Sequence, residues 1–388
     1  MTTDRRFFAA LISIIVITCP LSGWAQQSSQ SIDFEQLAEL LTSRLDAQAG
    51  ERVLLVGAPG RFDPLVPLLR DGFEAAGAEF LGTWSVAGVT PDEWSTDFTA
   101  ALASTDQGGL PGLLADVDIS IMLPGANPGH AVYAALQEVL RGGHGRSIHF
   151  HWEGAYELDG SLLPVNDHID RFYMRALAQS DFRKLAKTQS RFEQAIRDST
   201  IRVTTPAGTD ISFQIGDRPV NLQDGDASRD KTARGALLID REIELPAGAI
   251  RVAPPEETVN GRIVFPQSTW QDSKVIELTL NFEQGIVTDV IAEIGLEAVL
   301  EEMRQAGDAG RAFREFALGF NPLLAIPEHG LPWIPYYGYG AGVVRLSLGD
   351  NSELGGNVSG AYVRWNFFVD ATVTVNDKVW VENGRLIR

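Results

Sequence analysis

Three acid–base side chains, His149, His151 and Glu153, alternate along an apolar run and so share one face of an extended strand. A His-x-His-x-Glu row at the carboxyl end of a parallel strand has the donor types for one metal ion, and His144, Asp167, His168 and Asp170 lie close in sequence. The competing reading is that these histidines pack against a helix or simply hydrogen-bond. Two further acid-bearing turns stand apart. Glu256 and Glu257 follow Ala253-Pro254, and Glu328-His329 precede Trp333, Tyr336 and Tyr337. The first reads as a solvated turn, the second as a substrate mouth or a dimer or domain contact.

Other chemistries are excluded. Cys19 is the single cysteine and lies in the leader, so the mature chain has neither a disulfide nor a thiol nucleophile. No G-x-S-x-G elbow is present, and the six histidines have no obvious serine partner. The Gly57-Ala58-Pro59-Gly60 turn lacks the glycine spacing and the lysine of a phosphate loop, and reads as a turn.

These residues must be positioned by regular elements. Leu37, Leu40, Leu41 and Leu45 recur at helical spacing ahead of Gly50. Val53 to Val56 is a buried-strand run, followed by a helical pattern from Leu65 to Ala76. The alternation repeats with strands at 80–84, 117–123 and 148–152, a helix at 131–141, and a long helical stretch at 169–197. Strand–helix alternation predicts an α/β N-terminal domain with a doubly wound, mostly parallel sheet over residues 31–197.

From residue 198 to 388 the pattern turns to strands: 201–204, 211–215, 236–239, 250–253, 262–265, 275–282, 343–348, 361–374 and 379–381, with one helix at 296–306. This predicts a β-rich α+β C-terminal domain.

Residues 1–25 read as a secretory signal: Arg5 and Arg6, then the apolar stretch Phe7 to Cys19, then Gly-Trp-Ala before a new terminus at Gln26. About 13 apolar residues fall short of the roughly 20 that span a bilayer, so no membrane insertion is expected after cleavage. The protein is expected to be exported, periplasmic or secreted, by general secretion or the twin-arginine route. A formal charge of −19 becomes −20 once Asp4, Arg5 and Arg6, net +1, are removed. Such a chain opposes nucleic acid and anionic membranes as partners.

Seven ordered segments carry a resemblance: 48–59 (QAGERVLLVGAP), 203–213 (VTTPAGTDISF), 245–254 (LPAGAIRVAP), 259–265 (VNGRIVF), 315–322 (EFALGFNP), 346–351 (LSLGDN) and 364–375 (RWNFFVDATVTV). Their order and spacing resemble the thermophilic-type metalloaminopeptidases, the aminopeptidase T and leucyl aminopeptidase family, over about 48–388. The resemblance implies an α/β domain, a β-rich domain carrying two metals, and a homodimer. It places metal-holding residues at Ala249, Glu315, Arg345 and the trio Arg364-Trp365-Asn366, of which only Glu315 keeps a ligand side chain. A tyrosine expected between Arg345 and the trio has no counterpart.

Arginine stays protonated and offers donors only, so it does not ligate a cation. The expectation is therefore a binding protein or an altered hydrolase with an eroded dinuclear site and no cofactor: Glu315 as the surviving acid, and Arg345, Arg364 and Asn366 binding a peptide or small anionic ligand or pairing with acids. One alternative is an active aminopeptidase holding zinc, cobalt or manganese, with Glu256, Glu257, Glu328 and His329 rebuilding the site. Another is a non-enzymatic envelope interaction module.

Overall fold

A computed structural model describes residues 31–388 apart from Ala236, so the expected leader, its cleavage point and Cys19 lie outside the described residues. Val53, Leu54, Leu55 and Val56 are fully buried in the strand Arg52–Gly57. A strand apolar at every position must be covered on both faces. Val53 and Leu55 share a core with the helices Phe34–Leu45 and Leu65–Ala75. Leu54 and Val56 join Asp97–Ser104, Leu110–Leu114 and Ala131–Arg141 on the opposite face.

Glu79–Ser85, Arg52–Gly57, Ile119–Met122 and Arg146–His149 lie side by side in that order, all parallel. A fifth parallel strand, Glu242–Glu244, comes from the second half of the chain and pairs with Arg146–His149. Residues 31–388 accordingly form one compact unit.

The β-rich half holds two antiparallel sheets. The larger has eight strands, centred on Asp210–Gln214, Thr200–Thr204 and the long hairpin Asn260–Trp270 with Ser273–Glu283. The smaller has Phe313–Gly319 at its middle, between Ala249–Val252 and Val344–Gly349. The layout read from periodicity, α/β followed by β-rich, is the architecture observed. Among the described residues no helix is long and apolar enough to cross a membrane.

Four expected elements differ. The helix expected over 169–197 is two, Asp167–Gln179 and Phe182–Ile196, because the Asp181 side chain caps the second by accepting from Lys184 N at 2.9 Å. The strand expected at 236–239 is replaced by a helical turn, Leu238–Arg241, started by Asp240 accepting from Leu237 N at 3.0 Å; Ala236 is outside the described residues. The strand expected at 148–152 ends at His149. Residues 361–374 break into Val363–Arg364, Phe367–Phe368 and Thr372–Val375, serving different sheets.

Candidate functional site

Phe313–Gly319 is buried at all seven positions, yet it carries two charged residues, Arg314 and Glu315. Its register places Ala317 opposite Arg251 on one side and Arg345 on the other, with Ser347 opposite Glu315. Residues two apart on a strand share a face. Both guanidiniums therefore cross the small Ala317 side chain to reach Glu315 diagonally. Arg251 Nε and Arg345 Nη2 each lie 2.9 Å from a different Glu315 oxygen, and Ser347 Oγ donates at 3.2 Å. A register shift between Phe313 and Glu315 turns Arg314 toward the same cluster, its Nε 4.0 Å from Glu315.

Burial by itself would push the Glu315 carboxyl up. The guanidiniums of Arg251, Arg345 and Arg314 overcome that and hold it well below the usual carboxylate range. Arg251 also reaches Glu353 at 2.6 Å and Glu244 at 3.6 Å. Arg314 bonds the same Glu353 oxygen, and the Tyr339 hydroxyl donates to Glu244.

This cluster faces the carboxyl ends of the parallel strands. His149, the last residue of its strand, meets His151 with ring centroids 3.3 Å apart. Tyr133, from the helix Ala131–Arg141, lies with its hydroxyl 2.7 Å from His149 Nδ1 and bonds Glu242 as well; Gln137 donates to the other Glu242 oxygen at 2.9 Å. Burial pushes the Glu242 carboxyl up to about 7 against the pull of these bonds. Burial lowers both imidazoles, His151 to about 4 and His149 well below its ordinary value, so both are neutral near pH 7.

Between the two groups lies a chamber of about 210 Å³, lined by His149, His151, Glu244, Arg345, Tyr337 and Trp365 among others. Three buried polar atoms of its lining residues have no hydrogen-bond partner: His149 Nε2, Arg314 Nε and Arg345 Nε. Buried polar atoms are rarely left so.

The residues singled out from sequence divide. Glu315 and Arg345 come together, and His149 and His151 stand across the chamber from them. Arg364 and Asn366 do not join Glu315. Arg364 lies 3.4 Å over the Trp270 ring, pairs with Glu302 at 2.9 Å, and donates to Asn366 Oδ1 at 3.2 Å. Asn366 itself donates to Leu346 O at 3.0 Å. Alternation is the reason: Val363 and Trp365 line the chamber, whereas Arg364 and Asn366 line only a larger groove of about 740 Å³.

Glu153 leaves the expected histidine row, because the strand has ended at His149 and its side chain is exposed. Among the described residues no three His, Cys, Asp or Glu side chains converge in a way that could hold a metal ion. Glu256 is taken by Arg218 at 2.9 Å and Asn351 at 3.1 Å, while Glu257, Glu328 and His329 are exposed and line no part of the chamber. His144 faces Asp118 at 3.4 Å on the surface. Asp170 is fully buried under Trp152 and Arg61.

Tyr133, Gln137, Glu242, Glu244, Arg251, Arg314 and Glu353 escaped the sequence reading. A signal existed for two of them: Arg251 interrupts an otherwise apolar strand run and Arg314 stands beside Glu315 in another, where a charge persists only if partnered.

No protein-family profile matches the sequence, and no curated protein matches it. Solved structures do resemble the fold. A 2,5-dihydroxypyridine dioxygenase from Pseudomonas putida KT2440 aligns with a TM-score of 0.62 and 15% identity over 92% of this chain and 97% of that one. AmpT from Thermus thermophilus aligns with a TM-score of 0.59 and 15% identity over 92% of this chain and 99% of that one. The chain therefore has an aminopeptidase T-like fold.

Proposed function

We propose that this chain is an exported binding protein on an aminopeptidase T-like fold, in which an arginine–glutamate cluster stands where a dinuclear metal centre would be and the adjoining chamber takes a small anionic ligand. The observation that carries this reading is Glu315, wholly buried and met at 2.9 Å by both Arg251 and Arg345. Both oxygens of that carboxylate are engaged by guanidiniums, and three guanidiniums around it repel a cation. The residues present do not fit a pair of divalent ions. Hydrolysis that needs metal-activated water has no support in this donor set.

Arg345 is the donor best placed for an anion. It touches one carboxylate only, it lies beside the Trp365 ring at 5.6 Å, and its Nε is unpartnered. The test is metal analysis of gently purified protein together with assay of N-terminal residue release from peptides. Substoichiometric zinc, cobalt and manganese with no release is the expected result. Stoichiometric metal that is lost in Glu315→Gln, with peptide cleavage, overturns the reading.

A further inference from the structure

The polar chain on the far side of the chamber has a feature that ion pairing alone does not require. Glu242, Tyr133 and His149 are linked in series, and the series ends at an unpartnered nitrogen. His149 is 8% exposed and its Nε2 is an unbonded atom of a chamber-lining residue. Tyr133 is fully buried, and Glu242 is 5% exposed and held on its second oxygen by Gln137 at 2.9 Å. A hydroxyl placed between a carboxylate and an imidazole has one proton to give, so the three groups have two consistent arrangements.

In the first arrangement Glu242 is ionised, Tyr133 donates to it, His149 Nδ1–H donates to the Tyr133 oxygen, and Nε2 presents a lone pair. In the second Glu242 carries the proton and donates to Tyr133, Tyr133 donates to Nδ1, and Nε2 carries a hydrogen. The imidazole is neutral in both. The arrangements differ by one proton, held at Glu242, and by whether His149 Nε2 donates or accepts.

The geometry points to a chamber that binds a small carboxylic acid together with its proton, the anion resting between Arg345 and His149 and the proton ending on Glu242. This rests on the anion-binding reading above. The step balances. The acid O–H, the Nδ1–H and the Tyr133 O–H bonds break; Nε2–H, a new Tyr133 O–H and the Glu242 O–H form. The ligand is left as a carboxylate facing Nε2–H and the Arg345 Nε–H. No net charge is added to an enclosed site, which is what makes anion entry affordable where Glu244, Glu315 and Glu353 already stand.

Groups on every side set the Glu242 proton. Tyr133 and Gln137 come from the helix Ala131–Arg141, Glu244 from its own strand, His149 and His151 from the neighbouring strand end, and Tyr339, Arg251, Arg345 and Glu353 from the second half. The raised carboxyl of Glu242 accords with a proton that exchanges near neutrality. Trp365 and Tyr337, with ring centroids 5.1 Å apart, give the chamber an aromatic wall and favour a flat apolar body on the acid.

Benzoate is the probe, titrated calorimetrically into the full chain at pH 6 and pH 8 in buffers of different ionisation enthalpy. Expected is uptake of close to one proton per benzoate at pH 8 and less at pH 6, with affinity falling about tenfold per pH unit above neutrality. Glu242→Gln, whose amide mimics the protonated acid, keeps benzoate binding and loses both the uptake and the pH dependence. Tyr133→Phe keeps the chamber but breaks the link, so the ¹⁵N signal of His149 Nε2 no longer changes on ligand addition. Binding without proton uptake overturns the relay and leaves the metal-free reading intact. No binding at pH 6 by a protein with unchanged circular dichroism overturns the carboxylic-acid assignment, again independently of the metal analysis.

Discussion

Glu315 is the residue on which the charge balance of the second half turns. Its carboxylate is shared by Arg251 and Arg345 within 2.9 Å, with Arg314 at 4.0 Å. Taking away one partner of a buried ion pair leaves uncompensated charge at a cost of about 3–5 kcal/mol. Glu315→Gln is expected to lower stability by that amount in a denaturant titration; a change under about 1 kcal/mol would mean that water reaches the cluster. The acid–base groups across the chamber predict a pH dependence with opposed slopes. Glu242 rises from an ordinary 4.5 to about 7 on folding. Its stabilising contribution is therefore complete below about 4.5 and is lost as pH climbs through 7, on the order of 3 kcal/mol. His149 and His151 are lowered on folding, so their contribution is complete above the ordinary imidazole range and is lost as pH falls. In the parent chain the two trends offset each other between pH 5 and 7. In Glu242→Gln the rise in melting temperature over that interval should be visibly steeper; an unchanged slope would show that Glu242 does not titrate there.

At the scale of elements, the helix Phe182–Ile196 joins the two halves. Its Phe192 is fully buried and stacks on Phe316, Phe320 and Trp380 with centroids 6.4, 5.5 and 4.9 Å away. Phe192→Ala is expected to cost about 3–5 kcal/mol, read as a shift in denaturation midpoint without a change in slope. This helix also shows how local chemistry limits sequence reading. Its apolar spacing was legible, but its separation from Asp167–Gln179 depended on whether Ser180-Asp181 would cap or merely occupy a turn of one longer helix. Likewise the segment 361–374 has the composition of one strand. It is three because Val363–Arg364 and Phe367–Phe368 pair with Val344–Gly349 while Thr372–Val375 pairs with Thr200–Thr204, a choice of partners that composition does not encode.

For the molecule as a whole, the strand Glu242–Glu244 is decisive. It lies beyond residue 198 in sequence but completes the parallel sheet beside Arg146–His149. From the second half, Tyr336 packs on Tyr173 with centroids 5.6 Å apart and donates to Leu245 O at 2.7 Å. Residues 31–388 should therefore unfold in one calorimetric transition, with equal calorimetric and van't Hoff enthalpies. A fragment ending at residue 197 should lack a folded thermal transition; two resolved transitions in the full chain would contradict this.

The sequence by itself determined the classes of element and their order, since burial on both faces of Val53–Val56 and helical spacing in 131–141 are local properties of composition and period. It also determined that position 345 carries a donor-only group. The tertiary structure alone decided which acids meet which guanidiniums. Arg251 crosses Ala317 to Glu315 only in one strand register, Arg364 turns away by the alternation of a single residue, and Tyr133 meets His149 and Glu242 only because a helix and two strand ends converge. Ion pairs and hydrogen bonds act over a few ångströms between residues as many as 177 positions apart along the chain. No local pattern records them, because nothing in a residue's neighbours along the chain fixes its neighbours in space.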